Sequence, residues 1–272
     1  MQPHLTPALA YIIEQNDIEY TVARLDGMRQ AEGNPLRIAI QRFGGATAFL
    51  IEAWPEFWYG NRVLGLNPGS RDHLDEIMQF FASRQLDFRI ELIPGDLDSE
   101  LAGRLHRYGF SQMGFSTAMY GLPGKIQASS ITRDIDVRPV QSNEIESFID
   151  LYQTAFGDPA LSQIEVQAVR AWLERESANL HLCMALIGGQ PVAVAVLYTK
   201  NGLCLLADAA TLPEFRGRGC HWAMIQHRMA EAARRHCELV TSFVAFGSPS
   251  HHNLERAGLR VAYTKALWWK VK

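Results

Sequence analysis

The stretch of this sequence most able to do chemistry is AATLPEFRGRGCHWAMIQHRM, residues 209–229. An apolar run enters Pro213, a basic glycine-rich loop follows (Arg216-Gly217-Arg218-Gly219), and a helical pattern begins near Cys220. Glycines let the main chain turn tightly with its N–H groups converging, and a helix N-terminus adds unpaired donors and the positive end of the dipole. Two guanidinium forks suit phosphate oxygens. A diphosphate fits this arrangement. The loop carries neither the G-x-x-x-x-G-K-S/T spacing of a Walker A loop nor G-x-G-x-x-G. Its bland reading is a solvated basic turn; its place between an apolar strand and a helix argues against an RNA-binding arginine–glycine tail.

Elements that could position this loop are legible on both sides. Downstream of a strand over 135–140 come helices over 142–156 and about 163–176. Strands over 180–187, 191–199 and 202–211 follow, then the loop, a helix over 220–236, a strand over 238–246, a helix over 248–258 and a last strand. The first half ends in the same way. DFRIELI (87–93) reads as a strand and DSELAGRLHRYG (98–109) as a helix stopped at Gly109, as Gly258 stops the later one. Leu105 and Arg107 then align with Leu254 and Arg256, so the architecture reads as duplicated. GLPGKIQASSITRD, rich in glycine, proline and serine, reads as a linker. The expected division is 1–125, a linker over 126–134, and 135–272.

Strand, x-P-E-F-R-G-R-G, helix, strand, short helix and final strand together resemble the GCN5-related N-acetyltransferase (GNAT) superfamily. Its signature, Gln/Arg-x-x-Gly-x-Gly/Ala, binds the pyrophosphate of coenzyme A. Arg216 and Gly219 match the first two fixed positions, and His221 stands where the family has Gly or Ala. The resemblance implies an α/β (α+β) fold, a mixed and mostly antiparallel sheet flanked by helices, here in two tandem copies. It also implies acetyl-CoA as co-substrate, no metal, and direct acetyl transfer to the amine of a small or amino-acid-like acceptor. Carried over, the main chain of Ala210, Thr211 and Leu212 would meet the pantetheine and polarise the acetyl carbonyl. Arg216, Gly217, Arg218, Gly219, Cys220 and His221 would surround the pyrophosphate, and Asn253 is a candidate partner of the pantetheine.

The catalytic groups are less determined. The tyrosine with which many members protonate the leaving thiolate falls at Leu254 here. Ser250 and Tyr263 are candidate substitute acids, with Ser248, His251 and His252 close in sequence; water is an alternative. Asp208, beside the expected acetyl site, is the first candidate base and Glu165 a weaker one. An ordinary strand-face carboxylate is the competing reading of Asp208.

The first half lacks the basic loop. At the matching place stand Asn67-Pro68-Gly69-Ser70 and an acidic run, Asp72, Asp75 and Glu76, which would repel phosphate. Ser70 or Asp72 is the expected helix cap there. This half is read as a degenerate GNAT-like domain without coenzyme binding, as in related tandem members. Its aromatic cluster WPEFWYGNR (54–62) is a candidate wall of an acceptor pocket between the halves, or a plain hairpin.

The formal charge of -3 offers no electrostatic reason for a nucleic-acid partner. No apolar run reaches bilayer length, and the N-terminus has no basic segment of the secretory kind. Cys183, Cys204, Cys220 and Cys237 lack metal spacing and read as small buried hydrophobes. A cytoplasmic protein without membrane contact is expected, and homodimerisation is left open. Two rivals stand beside the acetyltransferase: a non-catalytic module sensing acetyl-CoA or another nucleotide, and an enzyme using longer acyl or aminoacyl donors.

Overall fold

The computed structural model describes residues 3–124 and 134–271. Elements of the first half are α1 (Pro7–Arg29), β1 (Ile38–Phe43), β2 (Ala46–Ile51), β3 (Arg62–Leu64), α2 (Leu74–Ala82), β4 (Arg89–Leu92), α3 (Ser99–Arg107) and β5 (Phe110–Gly121). The second half supplies β6 (Ile135–Pro139), α4 (Ile145–Phe156), α5 (Gln163–Arg175), β7 (Leu180–Ile187), β8 (Gln190–Lys200) and β9 (Leu203–Thr211). It continues with α6 (Cys220–Arg234), β10 (Leu239–Val244), α7 (Pro249–Arg256) and β11 (Arg260–Lys270). The expected linker, 126–134, and the division at Lys125 fall outside the described residues, Asp134 excepted.

The chain packs as two compact units. One comprises His4–Ala118 with Val261–Lys272, and the other Met119–Arg260 with Met1–Pro3. They differ from a simple halving of the sequence because the last strand packs with the first half. β11 pairs antiparallel with β4, Ala266 opposite Leu92 and Trp269 opposite Arg89. The duplicated strand–helix–strand endings are present, with Gly109 and Gly258 in left-handed conformation after α3 and α7 (φ 82 and 90). A Cβ would be disfavoured at both positions.

In the first unit the strand order is β1-β2-β3-β4-β11-β5; β1 with β2, β2 with β3 and β4 with β11 pair antiparallel, and β3 with β4 parallel. α2 and α3 cover one face with Leu74, Ile77, Phe81, Leu101 and Leu105. α1 carries a different kind of face. Glu14, Asn16, Asp17 and Thr21 are buried along with Ile13, Ile18 and Leu25. The buried carboxylates meet cations of the sheet. Lys265 Nζ lies 2.9 Å from Glu14 and 2.6 Å from Asp17, while Arg62 reaches Asp17 at 3.2 Å and Glu91 at 3.0 Å. Thr21 accepts a further bond from Arg62 at 2.7 Å. Burial raises the pKa of Glu14, whereas Asp17 and Glu91 are held low by Arg62 against the opposing effect of burial.

In the second unit the order is β10-β9-β8-β7-β6, antiparallel except for β9 with β10. α6 lies across the sheet through Cys220, Met224, Ile225 and Met229, packed with Cys183, Ala193, Ala195, Leu197 and Leu206. All four cysteines are buried, and none is in a disulfide. Among the described residues no helix is long and apolar enough to cross a membrane.

Candidate functional site

Two irregularities of β9 create the site. The first is a bulge. Val196 faces Ala207 and Val194 faces Ala210, so Asp208 and Ala209 together oppose Ala195 alone. Asp208 takes a left-handed φ of 42, rare for a residue with a Cβ. The second irregularity is a short partner. β10 pairs with β9 only from Leu203 opposite Leu239 to Leu205 opposite Thr241. Ser242 still donates its hydroxyl to the Leu206 carbonyl at 3.0 Å. Beyond that point β9 runs on through Ala210 and Thr211 without a ladder to β10.

The loop then turns the chain into α6. Pro213–Phe215 form a 3-10 turn, and Gly217 and Gly219 both adopt left-handed φ (78 and 96). Gly219 is the N-cap of α6. No side chain caps that helix end, and its first turn contains no acidic residue. A 15-residue helix with no side-chain cap behind a left-handed glycine loop has the donors and the dipole end that suit an anion. Cys220, the first helical residue, is buried with its thiol pKa raised by burial, which suits packing rather than nucleophilic chemistry.

The two arginines behave differently. Arg218 is exposed and lies over the Phe215 ring at 5.0 Å, leaving its guanidinium nitrogens on the surface of the loop. Arg216 bends back: Nε donates to the Thr211 carbonyl at 3.1 Å and Nη2 to the Ala155 carbonyl at 3.2 Å. It ties the end of β9 to the end of α4. Arg216 therefore positions the strand end as well as adding positive charge.

His221, one residue into α6, meets α7. Asn253 Nδ2 is 3.1 Å from His221 Nδ1, and Ser250 Oγ is 3.5 Å from Nε2. Arg256 Nη1 donates to Asn253 Oδ1 at 3.5 Å and stacks 4.4 Å over the Trp222 ring. Burial and the nearby Arg228 lower the His221 pKa to about 4, so the ring is neutral at pH 7 and carries its proton on Nε2 if Asn253 donates to Nδ1. Ser250, His221 and Asn253 are thus one network.

Not every expected residue joins this cluster. Tyr263, on β11, belongs to the first unit, where its hydroxyl donates to Glu14 at 3.2 Å and to the Ala10 carbonyl at 3.5 Å. Burial and the adjoining carboxylates raise its pKa, so it is a poor proton donor. Burial is the larger cause. Leu254 is a core residue of the second unit. Glu165 caps α5, accepting from the Ser162 main chain at 2.7 Å. In the first unit the place of the basic loop is filled by a capping box: Asn67 accepts from the Ser70 main chain at 3.1 Å and Ser70 from that of Asn67 at 3.1 Å. Asn67, rather than Ser70 or Asp72, is that cap. The aromatic cluster forms the connection between β2 and β3, with Trp58 against Trp269 and Tyr59 under Arg89.

Arg228 was not legible as part of this site. Buried in α6, it donates through Nη1 to the carbonyls of Val196 and Ala207, both at 3.0 Å. Only its three-dimensional position beside the bulge marks it.

A family model described as "Acetyltransferase (GNAT) domain" matches residues 131–245. Solved structures share the fold over nearly the whole chain. A GCN5-related N-acetyltransferase from Kribbella flavida is 15% identical, with 93% of this chain and 95% of that one covered, at a TM-score of 0.65. One from Sphaerobacter thermophilus is 16% identical, with 99% and 95% covered, at 0.60. A tandem GNAT protein from the clavulanic acid biosynthesis pathway is 11% identical, with 94% of each chain covered, at 0.59. No curated protein matches the chain in sequence.

Proposed function

From the match of residues 131–245 to a GNAT acetyltransferase domain model, we propose that this chain is an acetyl-CoA-dependent N-acetyltransferase acting on a small-molecule or amino-acid-like amine. The observation that carries this reading is the pairing of an α6 N-terminus with no side-chain cap, behind Gly217 and Gly219, with the end of β9 that runs past its bulge without a ladder to β10. The first suits a diphosphate and the second an amide-containing arm and a thioester carbonyl.

In this reading the main-chain N–H groups of Gly217, Gly219, Cys220 and His221, with Arg218, hold the pyrophosphate. Ala210, Thr211 and Leu212 line the pantetheine and acetyl end. Donors fixed in advance toward the carbonyl oxygen stabilise the charge that develops there when the amine attacks. The nitrogen–carbon bond forms as the carbon–sulfur bond breaks, and the amine proton must leave. Asp208 stands on the bulge at that place and is the proposed base, directly or through water. The thiolate takes its proton from water or Ser250, since Leu254 is apolar and Tyr263 is bound to Glu14. The chain is proposed to act in the cytoplasm without nucleic-acid or membrane partners, and a homodimer is compatible with the reading.

A second reading, a non-catalytic acetyl-CoA sensor, is favoured by the same two departures: the buried Leu254 and the His221–Asn253 contact at the mouth of α6. Calorimetric titration with acetyl-CoA, followed by thiol release with panels of amines, tests both. Saturable binding with turnover supports the enzyme, and binding without turnover over broad amine and acyl-donor panels supports the sensor. No binding removes both.

A further inference from the structure

The second unit buries one arginine that nothing in the site's chemistry has yet used. Arg228 is 2% exposed, and its hydrogen bonds all go to main-chain carbonyls. Nε donates to Met224 at 3.2 Å within α6, and Nη1 divides between Val196 on β8 and Ala207 on β9. Burial lowers its pKa, while Cys183 and Asp208 oppose that shift. A buried guanidinium without a carboxylate in contact is costly, and a core gains nothing from it unless the carbonyls it meets would otherwise lack donors.

The bulge supplies that reason. Val196 and Ala207 are the last regular pair before Asp208 and Ala209 crowd opposite Ala195. A bulge disrupts the ladder and can leave carbonyls beside it short of partners. Arg228 gives one donor group to both strands at that step. It also spans from the helix that starts at the phosphate-type loop to the strand whose end, without a ladder to β10, follows the bulge. On the acetyltransferase reading, we infer that Arg228 is a positioning residue: it fixes the bulge at Asp208–Ala209, next to the Val196–Ala207 pair it holds, and so sets the direction in which Ala210 and Thr211 present their main chain to acetyl-CoA.

The test compares Arg228→Lys and Arg228→Met with the native protein, using acetyl-CoA as the probe. Thermal melting first gives the folded fraction. Amide shifts of Asp208–Thr211 in the free protein and the calorimetric Kd for acetyl-CoA are then measured on folded material. The expected result is moved amide signals at 208–211 in both variants. A Kd weaker by about tenfold is expected in Arg228→Met, the scale of losing one or two well-placed hydrogen bonds. Arg228→Lys, keeping one donor head, falls between. Lower melting temperatures with unmoved 208–211 signals and an unchanged Kd would overturn the inference and leave Arg228 a core residue only.

If neither variant folds, the native protein decides. Arg228 guanidinium signals that shift on acetyl-CoA addition support the coupling, and signals that stay fixed at saturation overturn it. Native protein that does not bind acetyl-CoA sinks the functional reading instead. The 208–211 shifts of the free variants still report whether Arg228 holds the bulge.

Discussion

Asn253 and His221, 32 residues apart, meet side chain to side chain at 3.1 Å, joining α7 to the first turn of α6. The superfamily places a Gly or Ala where this chain has His221. The imidazole fills that space with a neutral ring, its pKa lowered to about 4 by burial and Arg228. The affinity for acetyl-CoA is therefore expected to stay flat from pH 8 to pH 6. An increase in affinity with a midpoint near 6.5 would mean that His221 becomes a cation facing the diphosphate.

Arg218 and Arg216 should separate on substitution. Arg218→Ala removes an exposed cation and should weaken acetyl-CoA binding about tenfold at low salt, with a smaller loss at high ionic strength. Arg216→Ala also frees the Thr211 and Ala155 carbonyls, so it should lower the melting temperature where Arg218→Ala does not. Calorimetry at two salt concentrations, with thermal melts of both variants, checks this.

Asp208→Asn keeps the size and left-handed tolerance of the residue while removing a base. With chemistry limiting, kcat should fall by about 100-fold or more while the acetyl-CoA Kd changes little. Unchanged kcat would assign Asp208 to the bulge alone.

Lys265→Met should be the most damaging single change in the first unit. It leaves Glu14 and Asp17 buried beside only part of their counter-charge, and removing one partner of a buried pair costs about 3–5 kcal/mol. Chemical denaturation reads the loss. A change below about 1 kcal/mol would show that the cluster relaxes or takes up water.

Three histidines, His181, His221 and His227, set an acid limb, each with its pKa lowered chiefly by burial. Those of His181 and His221 fall to about 4, against 6.5 for the free side chain. Between those values the unfolded chain binds the extra protons. Stability is full above about pH 6.5 and declines toward pH 4, by up to about 1.4 kcal/mol per pH unit for each histidine at the limit, and less for the partly exposed His181. Asp17 and Glu91, held low in the folded state, add their loss only below about pH 4. Replacing His181, His221 and His227 by Gln should flatten the slope between pH 6.5 and 4.5, and an unaltered slope would place the acid sensitivity elsewhere.

The second half was legible because its physics is local. Alternating strands and the glycine stops each announce themselves within a few residues, and the loop from Arg216 to Gly219 does so by composition. α1 was not, since Glu14, Asp17 and Thr21 interrupt any apolar stripe and are buried only because Arg62 and Lys265 wait for them in distant strands. Arg228 hid for a similar reason: a charged residue on a helix reads as solvated until a bulge is seen beneath it. Tyr263 stood five residues beyond Gly258 in sequence, yet its strand packs elsewhere, and sequence proximity gave it a place in the site that its hydrogen bonds do not support.

The placement of β11 also orders events during synthesis. Residues 4–118 lack their Tyr263 and Lys265 partners, and β4 lacks its antiparallel neighbour, until the ribosome has made and released residues 261–271. With Glu14 lacking its cation and an open strand edge on β4 waiting, that unit cannot close in the order in which it is translated. The segment between, already able to form β6 to β10, is free to fold first, so the earlier part of the chain finishes last.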